Sequence, residues 1–416
     1  MLDSKLLREH PDAVREGIAR RGADIPLDAL LAREQERRTL LTEIEQQRHE
    51  QKLASEAFGR NKGSGGPPAK LKELSEAVKA KEQQLKQLEE AVTLELSLLP
   101  NIPHASVPSG DAANNRIIRT VGQKPPVSFQ PKTHMELGQQ LGLFDFERAA
   151  KITGSHFPLF TGKGARLERA LIQWMLDVQT KAHGYTEISP PFLVNRASMF
   201  GTGQLPKFEE DMYRLRDDDL FLVPTAEVPL TNLHRDEVLE APTLPVKYTA
   251  YTACFRREAG SYGKETRGLV RVHQFDKVEL VKFTTPESSY DELETLVRDA
   301  EAILQGLGLH YRVVCLAAGD LSFASAKTYD LEAWAPGLNQ FLEVSSCSNF
   351  EAFQARRANV KYRFAGGKPA FLHTLNGSGV ALARTLICLL ETHQQADGQI
   401  AIPKPLQPYL DGQTLL

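Results

Sequence analysis

Two long segments, separated by a stretch rich in glycine and proline, set the strongest constraint on how this chain folds. The first runs from Leu27 to about Gly59, and Glu, Gln, Arg and Leu dominate it. The stretch GRNKGSGGPPAK that follows contains the residues that end helices, so each segment forms its own helix. Two helices of about 30 residues each would make a hairpin about 45–50 Å long.

The second segment carries apolar residues at alternating spacings of three and four, and only Lys81 and Glu95 interrupt the pattern. This spacing places the apolar side chains in one stripe along a helix, where they pack against another helix. We therefore predict an antiparallel coiled coil. The stripe consists of Leu71, Leu74, Val78, Leu85, Leu88, Val92 and Leu99.

This helical hairpin has two interpretations. A coiled coil for oligomerisation or spacing would have a solvated charged face, and the glutamates interleaved with the basic residues favour that interpretation. An RNA-binding arm would instead use the basic residues to neutralise phosphates. The chemistry of the rest of the chain has to decide between them. The basic residues are Arg33, Arg37, Arg38, Arg48, Lys52, Arg60, Lys62, Lys70, Lys72 and Lys79.

The proline-containing linker PNIPHASVPSGDAA leads into a region of mixed periodicity. The segment GARLERALIQWMLDVQTKAHG predicts a helix that ends near Gly184. The shorter segments LFLVPTAEVPL, LVRVHQFDKVELVKF and YRVVCLA alternate in polarity, which predicts an antiparallel sheet with helices attached. The fold class is therefore α+β. The buried face of the predicted helix consists of Leu167, Leu171, Trp174, Met175 and Val178.

Composition excludes several classes of protein. The charged start MLDSKLLREHPDAVREG is no signal peptide, and the chain has no apolar run of about 18 residues. The four cysteines contain no CxxC pair, which argues against a disulfide framework and a zinc site. The nucleotide-binding patterns GxxxxGK[ST] and GxGxxG are absent. We expect a cytoplasmic protein with reduced thiols, no membrane partner and no zinc.

The segment FRREAGSYGKETRGLVRVHQFDKVEL crowds charged residues around a loop. Alternation along two strands would place Arg256 and Glu258 on one face and Arg257 on the other, with Phe275 and Glu279 joining the first face. A guanidinium binds a phosphate or carboxylate, a carboxylate accepts from an amine, and an aromatic ring covers a base. The set suits a nucleotide together with a small zwitterion, and a charged surface hairpin is the alternative.

Three further segments carry residues suited to the same ligands. In NQFLEVSSCSNF, Glu343 beside serines at a strand end suits Mg²⁺, although a turn or cap is the alternative. The segment LNGSGVALARTLICLLETHQ predicts a Gly-rich turn before an apolar helix. Arg384 in that helix needs an anionic or aromatic partner, either a nucleotide or an ordinary ion pair. In LVPTAEVPL, Thr225 and Glu227 on one strand face would accept from an ammonium group.

These segments, in this order, resemble the seryl-tRNA synthetase family of the class II aminoacyl-tRNA synthetases. HGYTEISPPFLV is similar to the first motif of that class, whose proline, here Pro191, lies at the dimer interface. FRREAGSYGKETRGLVRVHQFDKVEL is similar to the second motif in its seryl version, NGSGVALAR is similar to the third, and TAE and FLEVSSCSN are also family segments. The motifs occupy about residues 183–194, 255–283 and 375–391.

The resemblance covers essentially the whole chain and implies two domains. Residues 1–105 would form the N-terminal tRNA-binding helical arm, a long antiparallel coiled coil. Residues 106–416 would form the class II catalytic domain, an antiparallel β-sheet flanked by helices. The loop that contains Lys264 and Arg267 would be a mobile flap over ATP and the tRNA end.

The resemblance also implies a role for each matched residue. Arg256 would hold the ATP α-phosphate, and Glu258 would accept from the adenine amino group. Glu343 and Ser346 would ligate Mg²⁺. The implied ATP-binding residues are Arg256, Arg257, Glu258, Val272, Phe275, Glu343, Val344, Ser345, Ser346 and Arg384. The implied serine-binding residues are Thr225, Ala226, Glu227, Glu279, Asn376 and Ser378, and the implied catalytic residues are Arg256, Glu343 and Arg384.

The implied activity is the ATP-dependent ligation of L-serine to the 3′ end of serine tRNA through a seryl-adenylate, with selenocysteine tRNA as an open second acceptor. ATP would be a substrate and Mg²⁺ its accompanying ion. In this family the helical arm grips the long variable arm of the tRNA, and a homodimer is required. The resemblance therefore favours the RNA-binding interpretation of the hairpin. Arg257 occupies a position where we expect relatives to carry a small or variable residue.

Two other functions remain to be weighed. Relatives that aminoacylate carrier proteins lack the helical arm and use a zinc pocket, whereas here the arm is present and Cys254 has no partner pattern. A catalytically inactive RNA-binding or scaffold protein would be expected to lose Arg256, Glu343 or Arg384, and all three are present. We therefore expect a synthetase.

Overall fold

The computed structural model describes residues 1–60, 69–126, 128–259 and 268–416. Four basic residues named above fall outside that description: the side chain of Arg60, and Lys62, Lys264 and Arg267. Contacts divide the chain into two compact units. The smaller unit comprises Leu2–Ala19 and Ala23–Pro100, and the larger comprises Met1, Arg20–Gly22 and Asn101–Leu416.

Two long helices dominate the smaller unit, and they pair along the predicted stripe. The ion pairs Arg33–Glu95, Arg37–Glu89 and Arg48–Glu82 join residues of rising number on the first helix to residues of falling number on the second, so the helices are antiparallel. The predicted helical hairpin is thereby confirmed. The helices of this unit are α1 (Ser4–Glu9), α2 (Pro11–Arg20), α3 (Asp28–Arg60) and α4 (Ala69–Leu98).

The two polar interruptions of the apolar stripe are both ion-paired across the helix interface. Lys81 Nζ lies 2.6 Å from a carboxylate oxygen of Glu43, and Glu95 contacts the guanidinium of Arg33. Both residues are partly buried, as Leu85 is, whereas their other neighbours in the stripe, Val78, Val92 and Leu99, are buried. A partly buried charge needs a partner of opposite charge. Because Lys81 and Glu95 find theirs on α3, these polar positions stabilise the pairing of α3 with α4.

Basic side chains of the hairpin fall into two groups. Arg33, Arg37 and Arg48 are neutralised by glutamates on the same or the facing helix. A second group is exposed, and within the described part of the chain its members make no ion pair, so their charge faces solvent. Four of its six members lie in the half of the hairpin nearer the end of α3 and the start of α4. This second group comprises Arg38, Lys52, Lys70, Lys72, Lys79 and Lys86.

The larger unit is built on a sheet of eight strands in the order β1-β8-β9-β10-β13-β7-β6-β2. Neighbouring strands pair antiparallel except β2 and β6, which are parallel. The strands are β1 (Arg116–Val121), β2 (Thr186–Glu187), β3 (Leu193–Asn195), β4 (Leu220–Leu222), β5 (Val238–Glu240), β6 (Val246–Phe255), β7 (Gln274–Thr284), β8 (Tyr311–Cys315), β9 (Lys327–Ala335), β10 (Gln340–Asn349), β11 (Lys361–Arg363), β12 (Ala370–Phe371) and β13 (His373–Ala381).

Helices flank this sheet. The α-helices are α5 (His134–Leu141), α6 (Phe146–Thr153), α7 (Lys163–Lys181), α8 (Arg196–Thr202), α9 (Glu227–Thr231), α10 (Ser289–Gly306), α11 (Phe353–Ala358) and α12 (Leu382–His393). Short 3₁₀ helices cover Ala112–Asn114, Glu209–Asp211, Asn232–His234, Ala241–Thr243 and Lys404–Leu410. Within the described ranges, no helix combines the length and apolarity needed to cross a membrane.

The two faces of β7 pack into two different apolar cores. Val278 and Leu280 pack into the large apolar core that contains residues of α7, α10 and α12. Val281 and Phe283 pack into a second core with residues of α9 and α11. Glu279, on the same face as Val281 and Phe283, is polar and fully buried. The predicted α+β class, a sheet flanked by helices, is confirmed.

Two segments fold differently from their predicted elements. The expected strand through Thr225 and Glu227 ends at Leu222, and Glu227 is the first residue of α9. Pro224 and Pro229 explain the difference, because proline lacks the amide donor that a strand inside a sheet requires. The Thr225 hydroxyl instead accepts the Glu227 amide at 3.2 Å.

The segment predicted as a Gly-rich turn is a central strand, β13. A Cβ at Gly377 would lie 2.9 Å from Cys347 Sγ, so glycine permits a close approach of neighbouring strands rather than a turn. The register of β13 against β7 shifts between Ser378 and Val380, which marks a bulge. The helix α12 follows directly, and its predicted stripe of Leu382, Leu386 and Leu389 is buried.

All four cysteines are free and buried. Burial raises the pKa of each thiol, to about 12 for Cys347, which lies on β10. Such thiols remain protonated at neutral pH and behave as small apolar side chains.

Gly164, at the start of α7, gives a test of the packing. A Cβ there would lie 2.0 Å from the carbonyl oxygen of Leu143, which already accepts the Thr161 amide at 2.9 Å. Backbone cannot move aside as a side chain can, so we expect Gly164→Ala to lower the free energy of unfolding by about 2–3 kcal/mol. Urea unfolding measures the change. The exposed neighbour Lys163 provides the control, and Lys163→Ala should change stability by less than about 0.5 kcal/mol. Equal midpoints for the two variants would contradict this packing.

Candidate active site

Two adjoining cavities open on the polar side of β7 and its neighbours, with volumes of about 670 and 260 Å³. The larger reaches Thr225, Glu227 and Asn376, and the smaller reaches Phe275 and Arg384. A common set of side chains forms the wall where they meet. That set is Arg256, Glu258, Arg271, Lys277, Glu343 and Ser378.

Arg256 lies one residue beyond the end of β6 and is held from three sides. Its amide donates to the His273 carbonyl at 2.9 Å, and its Nε donates to the Pro224 carbonyl at 3.3 Å. The guanidinium carbon lies 5.2 Å from the centroid of the Phe275 ring, within cation–π range. The two Nη groups have no hydrogen-bond partner in the described part of the chain, so they are available to an anion.

Glu258 reaches the same wall by a different route from the predicted one. The strand β6 ends at Phe255, so Glu258 is not held by strand alternation. Its backbone has φ 53°, in the left-handed region, and its carboxylate accepts a hydrogen bond from Arg271. The strand β7 begins only at Gln274, so Arg271 and Val272 also lie in the loop before it. Both line the smaller cavity.

Glu279 is a fully buried carboxylate just behind the wall of the larger cavity, in contact with residues that line it. One oxygen accepts from the Asn376 amide at 3.0 Å, and the other accepts from the Thr225 hydroxyl at 2.9 Å. The ammonium of Lys277 contacts that second oxygen. A buried carboxylate without such partners would be strongly unfavourable, so this cluster keeps charge inside the sheet.

Glu227 lies close to this cluster and is also buried. Its Oε1 accepts from the Gln354 side chain at 2.6 Å. Burial raises the pKa of Glu227 to about 7, and the negative charge of Glu279 adds to the effect. The carboxyl therefore changes charge near neutral pH.

Glu343 and Ser346 face the larger cavity together because β10 is irregular. Residues three apart in a regular strand point to opposite faces, but the register of β10 shifts between Glu343 and Ser345. The Ser346 hydroxyl lies 3.5 Å from Glu343 Oε1 and donates to the carboxylate of Asp330. Burial, followed by the nearby charge of Glu343, raises the pKa of Asp330 well above its usual range.

Arg384 bridges the helix α12 to the cavity wall. Its Nε donates to the Val270 carbonyl at 3.1 Å, and its Nη1 donates to the Glu343 carbonyl at 2.9 Å. The Glu343 carboxylate lies 3.3 Å from the same Nη1. The arginine in the apolar helix therefore has its anionic partner, and it still lines the smaller cavity.

Four residues predicted for the site do not present side chains to the cavities. Arg257 is exposed, and its amide donates to the Asp211 carbonyl at 3.0 Å. Ser345 is buried on the other side of β10, where its hydroxyl donates to the Ser378 carbonyl at 2.6 Å. Ala226 is buried in the second apolar core. Glu279 is fully buried behind Thr225, Lys277 and Asn376. The remaining predicted site residues line one or both cavities.

Four residues of the site were not identified from the sequence: Lys277, Arg271, Asp330 and Gln354. Alternation along β7 gives Lys277 the same facing as Phe275 and Glu279, so a signal for it was present. Asp330 and Gln354 enter through long-range contacts with Ser346 and Glu227, which no local pattern reveals.

The arrangement combines cations at the junction of two cavities with carboxylates at or just behind the wall of one. It can bind an anion between Arg256 and Lys277 and an ammonium group near Glu227 and Glu279. The aromatic ring of Phe275 and the guanidinium of Arg384 can enclose a planar group in the smaller cavity. Among the described residues, no group of three or more His, Cys, Asp or Glu side chains is arranged as a metal site.

Two family models match most of the chain, and a relative of known name matches nearly all of it. Residues 1–103 match the seryl-tRNA synthetase N-terminal domain, and residues 207–393 match the tRNA synthetase class II core domain (G, H, P, S and T). A serine–tRNA ligase of Syntrophobacter fumaroxidans is 54% identical over 416 residues, which is 99% of this chain and 98% of that protein.

Two solved structures are similar over the full length. The seryl-tRNA synthetase of Pyrococcus horikoshii complexed with ATP has a TM-score of 0.92 and 38% identity, and covers 100% of this chain and 99% of its own. The cytoplasmic serine–tRNA ligase of Naegleria fowleri in complex with AMP has a TM-score of 0.87 and 32% identity, with coverages of 100% and 98%. The chain described here belongs to the seryl-tRNA synthetase family of class II aminoacyl-tRNA synthetases.

Proposed function

We propose that this protein activates L-serine with ATP and transfers the seryl group to the 3′ end of serine tRNA. The observation that carries the proposal is the wall shared by the two cavities, where Arg256 stands between a carboxylate-lined pocket and an aromatic one. Family membership supports the same activity, because the relatives named above are serine–tRNA ligases.

ATP would occupy the smaller cavity and the junction. Phe275 and Arg384 lie where they would enclose the adenine ring, and Glu258 would accept from its amino group. Val272 and Val344 contribute apolar wall to that cavity. Arg256 would hold the α-phosphate through the Nη groups that have no partner in the described chain. Arg257 and Ser345 would act through backbone or neighbouring residues, because their side chains point elsewhere.

Glu343 and Ser346 fit a Mg²⁺ ion that accompanies ATP. They supply hard oxygen donors, and the irregularity of β10 turns both toward the same cavity. One carboxylate and one hydroxyl make an incomplete cage, which suits an ion that keeps waters and phosphate oxygens as ligands. Asp330 accepts a hydrogen bond from the Ser346 hydroxyl, which would leave the lone pairs of that hydroxyl directed at the ion. Bound there, Mg²⁺ would neutralise negative charge on the phosphates.

Serine would occupy the larger cavity. Its ammonium group would lie near Thr225 and Glu227, and its hydroxyl near Glu279 and Ser378, with Asn376 fixing the Glu279 carboxylate. Ala226 would shape the base of the site through its backbone. A site that hydrogen-bonds the substrate hydroxyl rejects an analogue that lacks it, because the buried polar groups are then left unpaired.

The first step needs positioning rather than a general base. The serine carboxylate is already ionised, and its oxygen would form a bond to the α-phosphorus as the bond to pyrophosphate breaks. Arg256 would neutralise the charge that develops at the α-phosphate, in a cavity that holds the reacting groups in line. A terminal ribose hydroxyl of the tRNA would then attack the activated carbonyl and release AMP.

The tRNA would bind to the helical hairpin α3–α4. Four exposed lysines that make no ion pair in the described part of the chain, Lys52, Lys70, Lys72 and Lys79, lie in the half of the hairpin nearer the end of α3 and the start of α4, where they would neutralise phosphates. Arg33 and Arg37, nearer its base, are already paired with glutamates. A homodimer would be the working form, as the resemblance of the HGYTEISPPFLV segment to a dimer-interface motif implies.

Pyrophosphate exchange tests the proposed reaction. We expect labelled pyrophosphate to enter ATP in the presence of serine, and at least 100-fold more slowly with alanine, because Glu279 would lose its hydroxyl partner. Threonine and cysteine serve as further comparisons of size and polarity. The absence of serine-dependent exchange would refute the proposal.

The raised pKa of Glu227 predicts how activity depends on pH. Below about pH 7 the carboxyl is protonated and neutral, so it cannot pair with the serine ammonium. The value of kcat/KM for serine in the exchange reaction should therefore rise about tenfold per unit toward an apparent pKa near 7 and then level off. Glu227→Gln should flatten this limb and lower the plateau. A wild-type profile that is flat between about pH 5.5 and 7.5 would contradict the assignment.

The unpaired lysines give a test of the arm in the full-length protein. Replacing Lys70, Lys72 and Lys79 together with alanine should raise the KM for serine tRNA about tenfold or more and reduce its dependence on salt. Pyrophosphate exchange should not change, since that reaction requires no tRNA. The matched control replaces the same lysines with arginine, which keeps the charge and should keep the KM. Equal KM values for the alanine and arginine variants would show that the tRNA binds elsewhere.

A further inference from the structure

Lys277 is the least expected charge in the active site. Its ammonium group projects from the middle of the polar face of β7, and the residue is only 5% exposed. It lines both cavities. A buried ammonium is unfavourable unless it has hydrogen-bond or ionic partners, and the partners of Lys277 indicate its function.

The ammonium of Lys277 occupies Thr225, an acceptor proposed above for the serine ammonium, and also contacts Glu279, which is proposed for the serine hydroxyl. It donates to the Thr225 hydroxyl at 2.8 Å and contacts the Glu279 carboxylate. The Thr225 hydroxyl also donates to Glu279 and accepts the Glu227 amide. A hydroxyl has one proton and two lone pairs, so all the hydrogen-bonding capacity of Thr225 is used. A serine ammonium cannot bind Thr225 while Lys277 keeps that contact.

Charge leads to the same conclusion. In the structure Lys277 is the ammonium beside two buried carboxylates, Glu279 and Glu227, and its charge favours ionisation of the second. A second ammonium brought to the same carboxylates would repel the first strongly in a buried site. The Lys277 ammonium and a serine ammonium therefore cannot both lie beside these carboxylates in the larger cavity.

The position of Lys277 in the wall between the two cavities allows its ammonium group to make room for the serine ammonium. Because the side chain borders both cavities, rotation about its own bonds can carry Nζ from Thr225 to the junction beside Arg256. No strand needs to move. At the junction the displaced ammonium would face the serine carboxylate and the α-phosphate, where negative charge accumulates during adenylate formation.

We propose that Lys277 is a cation displaced by the substrate: it occupies the serine ammonium position in the free enzyme, and serine drives it to the reacting phosphate. This inference rests on the function proposed above. It makes Lys277 a catalytic residue that contacts the reacting groups with Arg256. It also couples the two pockets, since occupation of one supplies a positive charge to the other.

The variant Lys277→Met tests the displacement, because methionine has a similar length and no charge. Ethanolamine serves as the probe, since it has the ammonium and hydroxyl of serine but no carboxylate. Without a competing ammonium in the protein, the inhibition constant of ethanolamine should fall about tenfold. The kcat of serine-dependent pyrophosphate exchange should fall about 100-fold or more, the cost of losing one charge-stabilising donor.

The opposite signs of these two effects separate displacement from a purely structural role. A lysine that only holds Glu279 in place would, when removed, weaken ethanolamine binding and slow the reaction together. Unchanged or weaker ethanolamine binding in Lys277→Met therefore overturns the proposal. Lys277→Arg keeps the charge and should show no gain in ethanolamine binding. Lys247→Met, on the neighbouring strand β6, removes a partly buried lysine outside both cavities and should change neither measurement.

A structure of the wild-type protein decides the matter if the methionine variant fails to fold. With a non-hydrolysable sulfamoyl analogue of seryl-adenylate bound, the distance from Lys277 Nζ to Thr225 Oγ1 should exceed about 4 Å, beyond hydrogen-bond range. Retention of that hydrogen bond would overturn the proposal. Failure of the proposed function is recognised separately, because the wild-type enzyme would then show no serine-dependent exchange.

Discussion

The buried carboxylate of Glu279 is the constraint on which the rest of the active site depends. A charge in the interior of a sheet is tolerated only when each oxygen has hydrogen-bond partners. Those partners come from three places in the chain: Asn376 from β13, Lys277 from β7 itself, and Thr225 from the loop before α9. Satisfying one carboxylate therefore fixes the relative positions of the elements that form the larger cavity.

Irregular strands make the second contribution to the site. Bulges occur in β10 next to Glu343 and in β13 next to Ser378, both at the cavity wall. The bulge in β10 turns Glu343 and Ser346, which are three residues apart, toward the same cavity, so both can act on one ligand. A regular sheet would present alternate residues only, and Glu343 and Ser346 would lie on opposite faces.

The sequence predicted the parts of the fold that obey a local period. The hairpin α3–α4, the helix α7 with its buried face and the pairing of β6 with β7 all follow from spacings of apolar residues. Predictions were wrong where the usual structural preference of a residue type was assumed without regard to its neighbours. Glycines near Gly377 indicated a turn but allow close strand packing, and Thr225 with Glu227 suggested a strand that prolines prevent.

Most of the site could be named from the sequence because motif resemblance supplied it. Strand alternation would have added Lys277, which shares a face with Glu279. Asp330 and Gln354 could not be predicted, since each acts on a residue distant in sequence through a single side-chain contact. Local patterns carry no information about such contacts, which depend on the completed sheet and its helices.

The burial of all four cysteines has a practical consequence. Thiol reagents attack the thiolate, and each native thiol is buried with a raised pKa. A cysteine introduced on the surface, for example on the exposed side of α4, would be the reactive one. Fluorescent or spin labels can therefore be attached at chosen positions while the natural cysteines stay in place. Because packing makes the native cysteines unreactive, distances between introduced labels can be measured without first replacing them.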